Sequence, residues 1–218
     1  MGCSLPPRWC VCEALPLVET QLAVHVLIHH HELCKPSSTG KVVMRAVRGA
    51  ECHTYQRVSR HFPPLGFPAD ACDPARELWI LHPTGEPLPA ATAAADAPSC
   101  EGIQILLLDG TWRQAGDMLR SVEGLGRCVR LPDTAAEPSR FWLRDQPELR
   151  HVSTAEALGQ VLQTIGESDA ARQLRLHFEL HVYATLLARG KREMAERYLG
   201  HSPLLIDARD VLDRLHAR

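Results

Sequence analysis

The sequence predicts an α/β fold, a mainly parallel sheet with helices on both of its faces. Three observations carry that prediction. Residues 103–108 (IQILLL) are continuously apolar, the pattern of a strand buried on both sides. Short apolar runs of this kind alternate along the chain with stretches of helical periodicity, as in sheets built from strand-helix-strand units. Two of the helical stretches open on a capping box: Thr111 with Gln114, and Ser153 with Glu156.

Taken in order, residues 22–28 (LAVHVLI) read as the first strand. A polar loop at 37–40 and a helix through 42–47 follow. Residues 77–81 (ELWIL) form the second strand, ending at His82-Pro83-Thr84-Gly85. Pro, Ala and Asp dominate 83–100, which reads as a surface loop with at most a short helix. The third strand is 103–108, and the helix after Thr111 places Trp112, Ala115, Met118, Leu119 and Val122 at helical spacing. Residues 128–131 are the fourth strand. The second capped helix has Ala157, Leu158, Val161, Leu162 and Ile165 on its apolar side. Residues 169–199 are mostly helical, with Leu174, Phe178, Val182 and Leu186 as the packing face. Residues 1–20 form a Cys-rich, hook-like segment, and 21–218 form the α/β domain.

Composition bounds the class. A chain of 218 residues, 45% hydrophobic and 23% charged, is long enough and apolar enough for one substantial core, which excludes a mostly disordered protein. No apolar run approaches the length of a membrane span and no signal-like segment opens the chain, so a soluble cytoplasmic protein with no membrane partner is expected. The eight cysteines are then thiols. A net charge of −2 gives no global attraction to nucleic acid, so an RNA partner has to be held by a local basic patch.

Cys3, Cys10 and Cys12 lie in a Pro-rich segment with little apolar material of its own. Such a segment is either stapled, thiolate-bound zinc being a common staple, or a loose terminus with incidental cysteines. His25 and Cys34 are possible fourth ligands without diagnostic spacing. Cys52, Cys72, Cys100 and Cys128 show no pairing pattern and read as buried or incidental thiols.

Polar groups gather just after the strands: His29-His30-His31-Glu32 after the first, His82-Pro83 after the second, Asp109 after the third, and residues 140–144 beyond the fourth. Asp109 sits where an apolar strand stops and a helix starts, the place where open α/β sheets bind ligands. It either caps that helix or faces a ligand. Adjacent histidines on a loop converge poorly on one ion, so packing or substrate contact outranks metal for 29–32. There is no Walker loop, no G-x-G-x-x-G and no G-x-S-x-G, which leaves nucleotide hydrolysis, nicotinamide chemistry and serine hydrolysis without support.

Asp109-Gly110-Thr111-Trp112, followed by Arg113-Gln114-Ala115, resembles the signature of the DTW-domain proteins, the tRNA-uridine aminocarboxypropyltransferases. Other pieces agree in order: Cys3-x6-Cys10-x-Cys12, Ile28-His29-His30-His31-Glu32, Ser38-Thr39-Gly40, Leu81-His82-Pro83, Ser139-Arg140-Phe141-Trp142-Leu143-Arg144, and Ser153-Thr154-Ala155-Glu156-Ala157. The resemblance covers most of residues 3–165. Two positions depart from the pattern. The family hook begins C-x-x-C, whose first cysteine would fall before Met1, and the position after His29, usually Pro, is His30.

The resemblance implies a fold related to the SPOUT methyltransferases, with a trefoil knot. It implies transfer of the 3-amino-3-carboxypropyl group of S-adenosylmethionine to N3 of a tRNA uridine, with release of methylthioadenosine; no protein partner is implied. Zinc on Cys3, Cys10 and Cys12 would be structural. Uridine N3 is a poor nucleophile until its proton leaves, so a carboxylate within reach is the natural base. Asp109 is that residue, or else it grips the amino group of the transferred chain. Leu81, His82, Pro83, Thr84, Gly110, Thr111, Trp112, Ser153 and Thr154 are the expected donor-binding residues. His29, Glu32, Arg113, Arg140 and Arg144 are the expected substrate contacts, with Arg150 a further phosphate candidate. Trp112 stacks on a base or anchors its helix. A second basic cluster, Arg189, Lys191, Arg192 and Arg197, holds the tRNA body or only aids solubility. The rival readings are a SPOUT-type RNA methyltransferase and a zinc-containing RNA-binding module without catalysis.

Overall fold

A computed structural model describes residues 2–57, 66–89, 102–132, 138–144 and 152–216. Five strands form one sheet: β1 (Ala23–His29), β2 (Glu51–Tyr55), β3 (Glu77–Pro87), β4 (Ile103–Asp109) and β5 (Arg127–Arg130). Their order is β2-β1-β4-β3-β5, and every neighbouring pair is parallel. The helices are α1 (Gly40–Ala46), α2 (Trp112–Ser121), α3 (Thr154–Thr164), α4 (Ser168–Ala188), α5 (Arg192–Leu199), α6 (Leu204–Asp207) and α7 (Arg209–His216).

Alternation along the strands explains why both faces are covered. Val24, Val26 and Ile28 of β1 and Ile103, Ile105 and Leu107 of β4 join the larger core, with residues of α1, α3 and α4. Leu27, Leu78, Ile80 and Leu106 point the other way and pack on Ala115, Met118 and Val122 along α2. Each fully buried Leu or Ile of this kind contributes about 1.5–3 kcal/mol relative to exposure, so the two faces together fix the register. Both capping boxes form as expected. Residues 2–20 lie against the same body: Val11 and Val18 belong to the larger core, and Val18 bridges to Val47 after α1.

Three elements differ from the sequence reading. β2 is an additional edge strand, missed because ECHTY holds few apolar residues and is half exposed. β3 runs on through His82-Pro83-Thr84-Gly85 to Pro87, with a register shift after which Leu81 and Glu86 both pair with Val129. Gly85 permits this, because a Cβ there would lie 2.6 Å from the Val129 backbone. The long C-terminal helix breaks between α4 and α5, where Gly190 takes a positive φ of 72°. Cys100 and Arg150 lie outside the described residues.

The chain leaves β1 through α1 toward β2 on one side, and leaves β4 through α2 toward β5 on the other. The carboxyl ends of β1 and β4 therefore flank a topological switch point, and Ile28 pairs with Asp109 there.

Candidate active site

Asp109 closes β4 and shares the orientation of Ile105 and Leu107, toward α1 and α3. It does not cap its own helix, because Thr111 does: the Thr111 hydroxyl accepts from the Gln114 N–H and Gln114 Oε1 accepts from the Thr111 N–H at 2.8 Å. The Asp109 carboxylate instead joins three segments. Its Oδ2 accepts from the Ser38 hydroxyl at 2.7 Å, and its Oδ1 accepts from the Gly40 N–H at 3.0 Å and the Thr154 hydroxyl at 2.6 Å. The residue is 5% exposed. A carboxylate offers about four acceptor positions, so bonds from the described residues leave one, on Oδ2.

Two buried histidines on α4, one turn apart, hold the segments that lead into this site. His181 Nε2 donates to the Pro36 carbonyl at 2.7 Å, just before Ser37 and Ser38, and His177 Nε2 does the same to Pro16. Burial pushes the His181 imidazole down to about 3, with Arg45 adding to the effect, so the ring is neutral in the fold. Burial also lowers His177.

Three of the substrate residues expected from sequence, Glu32, Arg140 and Arg144, are engaged in ion pairs. Glu32 is buried and holds Arg144 and, at 2.7 Å, Lys35. Burial alone would raise its carboxyl, but the hydrogen bonds from Lys35 and Arg144 outweigh it and hold Glu32 below the usual carboxylate range. Arg140 donates to Glu179 Oε2 at 3.0 Å and to the Tyr198 carbonyl at 2.6 Å, with its guanidinium 4.0 Å from the Tyr198 ring centroid. Arg140 and Arg144 thus each face a carboxylate that burial would otherwise leave unpaired, with 15% and 32% of their side chains exposed. Arg113 is exposed on the first turn of α2.

His29 is half-buried, and its Nδ1 accepts from the His31 N–H at 3.3 Å. The tight turn brings one nitrogen from each of His29, His30 and His31 within 4.8 Å of the others, closer than the sequence suggested. Trp112 is 49% exposed and so does not anchor its helix in the core. Pro83 and Thr84 are exposed beyond the β3 excursion, and the His82 ring bonds the Thr84 hydroxyl at 2.8 Å. Ser153 caps α3, and Glu156 of that cap also accepts from the Arg140 N–H at 2.8 Å and the Ser139 hydroxyl. The sequence reading did not place Ser38, Gly40, Glu179 or His181 in the site. A His pair at i, i+4 on an otherwise apolar helix face was the available signal for His177 and His181.

The three N-terminal cysteines do converge. Their sulfurs lie within 4.8 Å of one another, with Cys3 and Cys10 3.8 Å apart. Thiolates around tetrahedral zinc are separated by about 3.8 Å, so the spacing fits that ion. Arg45 adds a second sign: its guanidinium is buried beside the three cysteines and none of its nitrogens has a hydrogen-bond partner among the described residues. A buried cation next to thiols calls for negative charge there. Burial pushes the Cys12 thiol up to about 11. At Cys3, backbone and thiol hydrogen bonds outweigh burial and lower it.

No helix among the described residues is long and apolar enough to cross a membrane. No solved structure matches the chain. Among curated proteins, it is 28% identical over 182 residues to a Mus musculus protein named tRNA-uridine aminocarboxypropyltransferase 2, covering 80% of this chain and 58% of the relative. A Macaca fascicularis protein of the same name is 24% identical over 180 residues, with the same two shares. One from Drosophila melanogaster is 26% identical over 176 residues, covering 78% of this chain and 68% of the relative. The chain spans just over half the length of the two mammalian relatives. The family model for the DTW domain matches residues 1–186, most of the chain, and the protein therefore belongs to the DTW domain family.

Proposed function

We propose that this protein transfers the 3-amino-3-carboxypropyl group of S-adenosylmethionine to N3 of a uridine in tRNA, releasing methylthioadenosine. One observation carries the reading. Three motif segments of a DTW domain meet at the Asp109 carboxylate, at the switch point of the sheet, in a chain similar to proteins named tRNA-uridine aminocarboxypropyltransferase 2. A SPOUT-like fold with a trefoil knot belongs to the same proposal, and the all-parallel β2-β1-β4-β3-β5 order supports it. Structural zinc on Cys3, Cys10 and Cys12 belongs to it as well, as does a cytoplasmic location.

The donor, when bound, supplies an electrophilic carbon beside a sulfonium and a thioether leaving group. The exposed Pro83-Thr84 rim and the backbone of Gly110 and Thr111, with Leu81, His82, Trp112, Ser153 and Thr154 around them, are the groups assigned to hold it. Carbon choice is a matter of alignment with the nucleophile, so what the chain must do is fix the rim rigidly. Asp109 contributes by holding Ser38, Gly40 and Thr154 together beside the strand ends. The one Oδ2 position left open is assigned to the uridine N3 proton or to the ammonium group of the donor. Arg113, His29 and the exposed Lys191, Arg192 and Arg197 are assigned to the RNA.

The test is incubation of the protein with bulk tRNA and S-adenosylmethionine labelled in its aminocarboxypropyl portion, followed by nucleoside mass spectrometry. Label in uridine with an equal amount of methylthioadenosine is expected. A methyl adduct, or RNA binding with no label transferred, would overturn the proposal.

A further inference from the structure

A second polar cluster lies away from the Asp109 site. His25 of β1 pairs in register with Glu51, the first residue of β2, and His53 follows two residues on, so all three share one face at the amino end of the sheet. That face is the one Leu27 shares with α2, opposite to the face Asp109 uses. Along β1, His25 precedes the Ile28 partner of Asp109 by three residues, about 10 Å.

The three side chains converge on one point. His25 Nδ1 lies 3.3 Å from His53 Nε2 and 3.5 Å from Glu51 Oε2, and His53 Nε2 lies 3.8 Å from that oxygen. A point equidistant from the three atoms is about 2 Å from each, which matches zinc bonded to imidazole nitrogen and carboxylate oxygen at 2.0–2.2 Å. We propose that His25, Glu51 and His53 bind a divalent transition-metal ion of the zinc type, clipping the edge strand β2 to β1.

The surroundings suit that role. His25 is 4% exposed, and the Gln104 side chain lies beside its ring and favours a ring N–H there. Gln104 is itself fixed by the Asp73 N–H, 3.1 Å from its Oε1, and by the carbonyls of Asp73 and Arg76. A ligating histidine whose ring is oriented by a carbonyl oxygen is the usual arrangement at such centres. Phe67 sets its edge against both imidazoles, at centroid distances of 5.4 and 4.8 Å, and limits their rotation. Glu51 is 60% exposed at its side chain and leaves an entry path. Burial lowers the basicity of both histidines and so favours the neutral rings a metal needs.

The test uses the full chain, stripped with chelator and titrated with Co²⁺ and with Zn²⁺, alongside Glu51→Gln and His53→Gln. His53→Gln is expected to take up one equivalent fewer than the parent. Glu51→Gln, altered only at an exposed side chain, is expected to bind that equivalent at least about tenfold more weakly. Thiolate-to-cobalt absorption should be the same in all three, because the N-terminal cysteines are untouched. Equal uptake at equal affinity in the parent and Glu51→Gln would overturn the proposal, whatever His53→Gln does to folding. Neither outcome bears on aminocarboxypropyl transfer.

Discussion

Gly40 and Asp109 touch at the switch point: the Gly40 N–H lies 3.0 Å from Asp109 Oδ1, and a Cβ on residue 40 would fall 2.6 Å from Asp109 Cγ. The contact requires a glycine for space, since nothing in its φ requires one. It seats the amino end of α1 against the end of β4, so the two strand exits that flank the crevice are locked together by one carboxylate.

Gly40→Ala therefore forces Asp109 or α1 to move. Overpacking of this kind costs about 1–3 kcal/mol. The expected result is a lower melting temperature with an equal or greater proportional loss of transfer activity. A Gly40→Ala protein with parental stability and activity would show that the contact does not constrain the site.

Asp109→Asn tests what the carboxylate does. An amide keeps the shape but presents an NH2 group to donors from Ser38, Gly40 and Thr154, losing charge-assisted bonds worth about 1.5–3 kcal/mol each. If Asp109 only ties the segments together, Thr154→Val should reproduce part of both the stability loss and the activity loss. If the open Oδ2 position also handles a proton or an ammonium group, Asp109→Asn should abolish transfer even where Thr154→Val retains it. Melting curves and single-turnover transfer, read side by side, separate the two.

What the sequence disclosed follows from where its signals were local. The IQILLL run, the two capping boxes and the cysteine cluster rest on neighbours within a few residues, and the structure has them all. Partnerships across the chain were not legible. Arg140 and Arg144 read as surface forks because Glu179 and Glu32 lie 39 and 112 residues from them, and only the packed body brings each pair together. Asp109 stood out for its position at a strand end, and its three donors lie in two other motif pieces, Ser38-Thr39-Gly40 and Ser153-Thr154, but their meeting at one carboxylate across 45 to 71 residues was not legible. β2 was missed because an edge strand carrying a Glu and a His lacks the apolar run that marked the central ones.

Acid should loosen the site through His181. Its imidazole, held down to about 3 in the fold, is ordinarily near 6.5 when unfolded. The unfolded chain thus binds the extra proton first, and stability falls as pH drops below about 6.5. At pH 5 this amounts to roughly 2 kcal/mol from His181 alone. Burial lowers His25, His53 and His177 as well, so they act in the same direction. His181→Gln keeps a donor for the Pro36 carbonyl without titrating. Denaturant titrations between pH 5 and 7.5 should show a shallower pH slope for that variant than for the parent.

Removal of metal from the N-terminal cysteines should expose the conflict at Arg45. With zinc bound, the thiolates neutralise a guanidinium that otherwise has no hydrogen-bond partner among the described residues. Chelator is expected to lower the melting temperature of the parent, and Cys10→Ser/Cys12→Ser should lower it without chelator and shrink the chelator effect to the part owed to the His25, Glu51 and His53 site. In that background Arg45→Met is expected to recover stability, since it removes the stranded charge while keeping much of the volume. Metal content by elemental analysis, measured with the melting curves, checks the chain of cause.

RNA binding should sort the arginines by what they touch. Each phosphate contact contributes about one unit to the slope of log affinity against log salt. Arg113, exposed beside Trp112 on the first turn of α2, is expected to reduce that slope by about one when changed to Ala, with no change in melting temperature. Arg140→Ala should do the opposite. It leaves Glu179, which is 0% exposed, with Arg175 as its remaining ion-pair partner among the described residues, so stability falls while the salt slope of the folded fraction holds. Filter-binding or fluorescence titrations with bulk tRNA across a range of salt concentrations give both slopes. A reduced slope for Arg140→Ala would return that residue to the phosphate-binding role its sequence suggested.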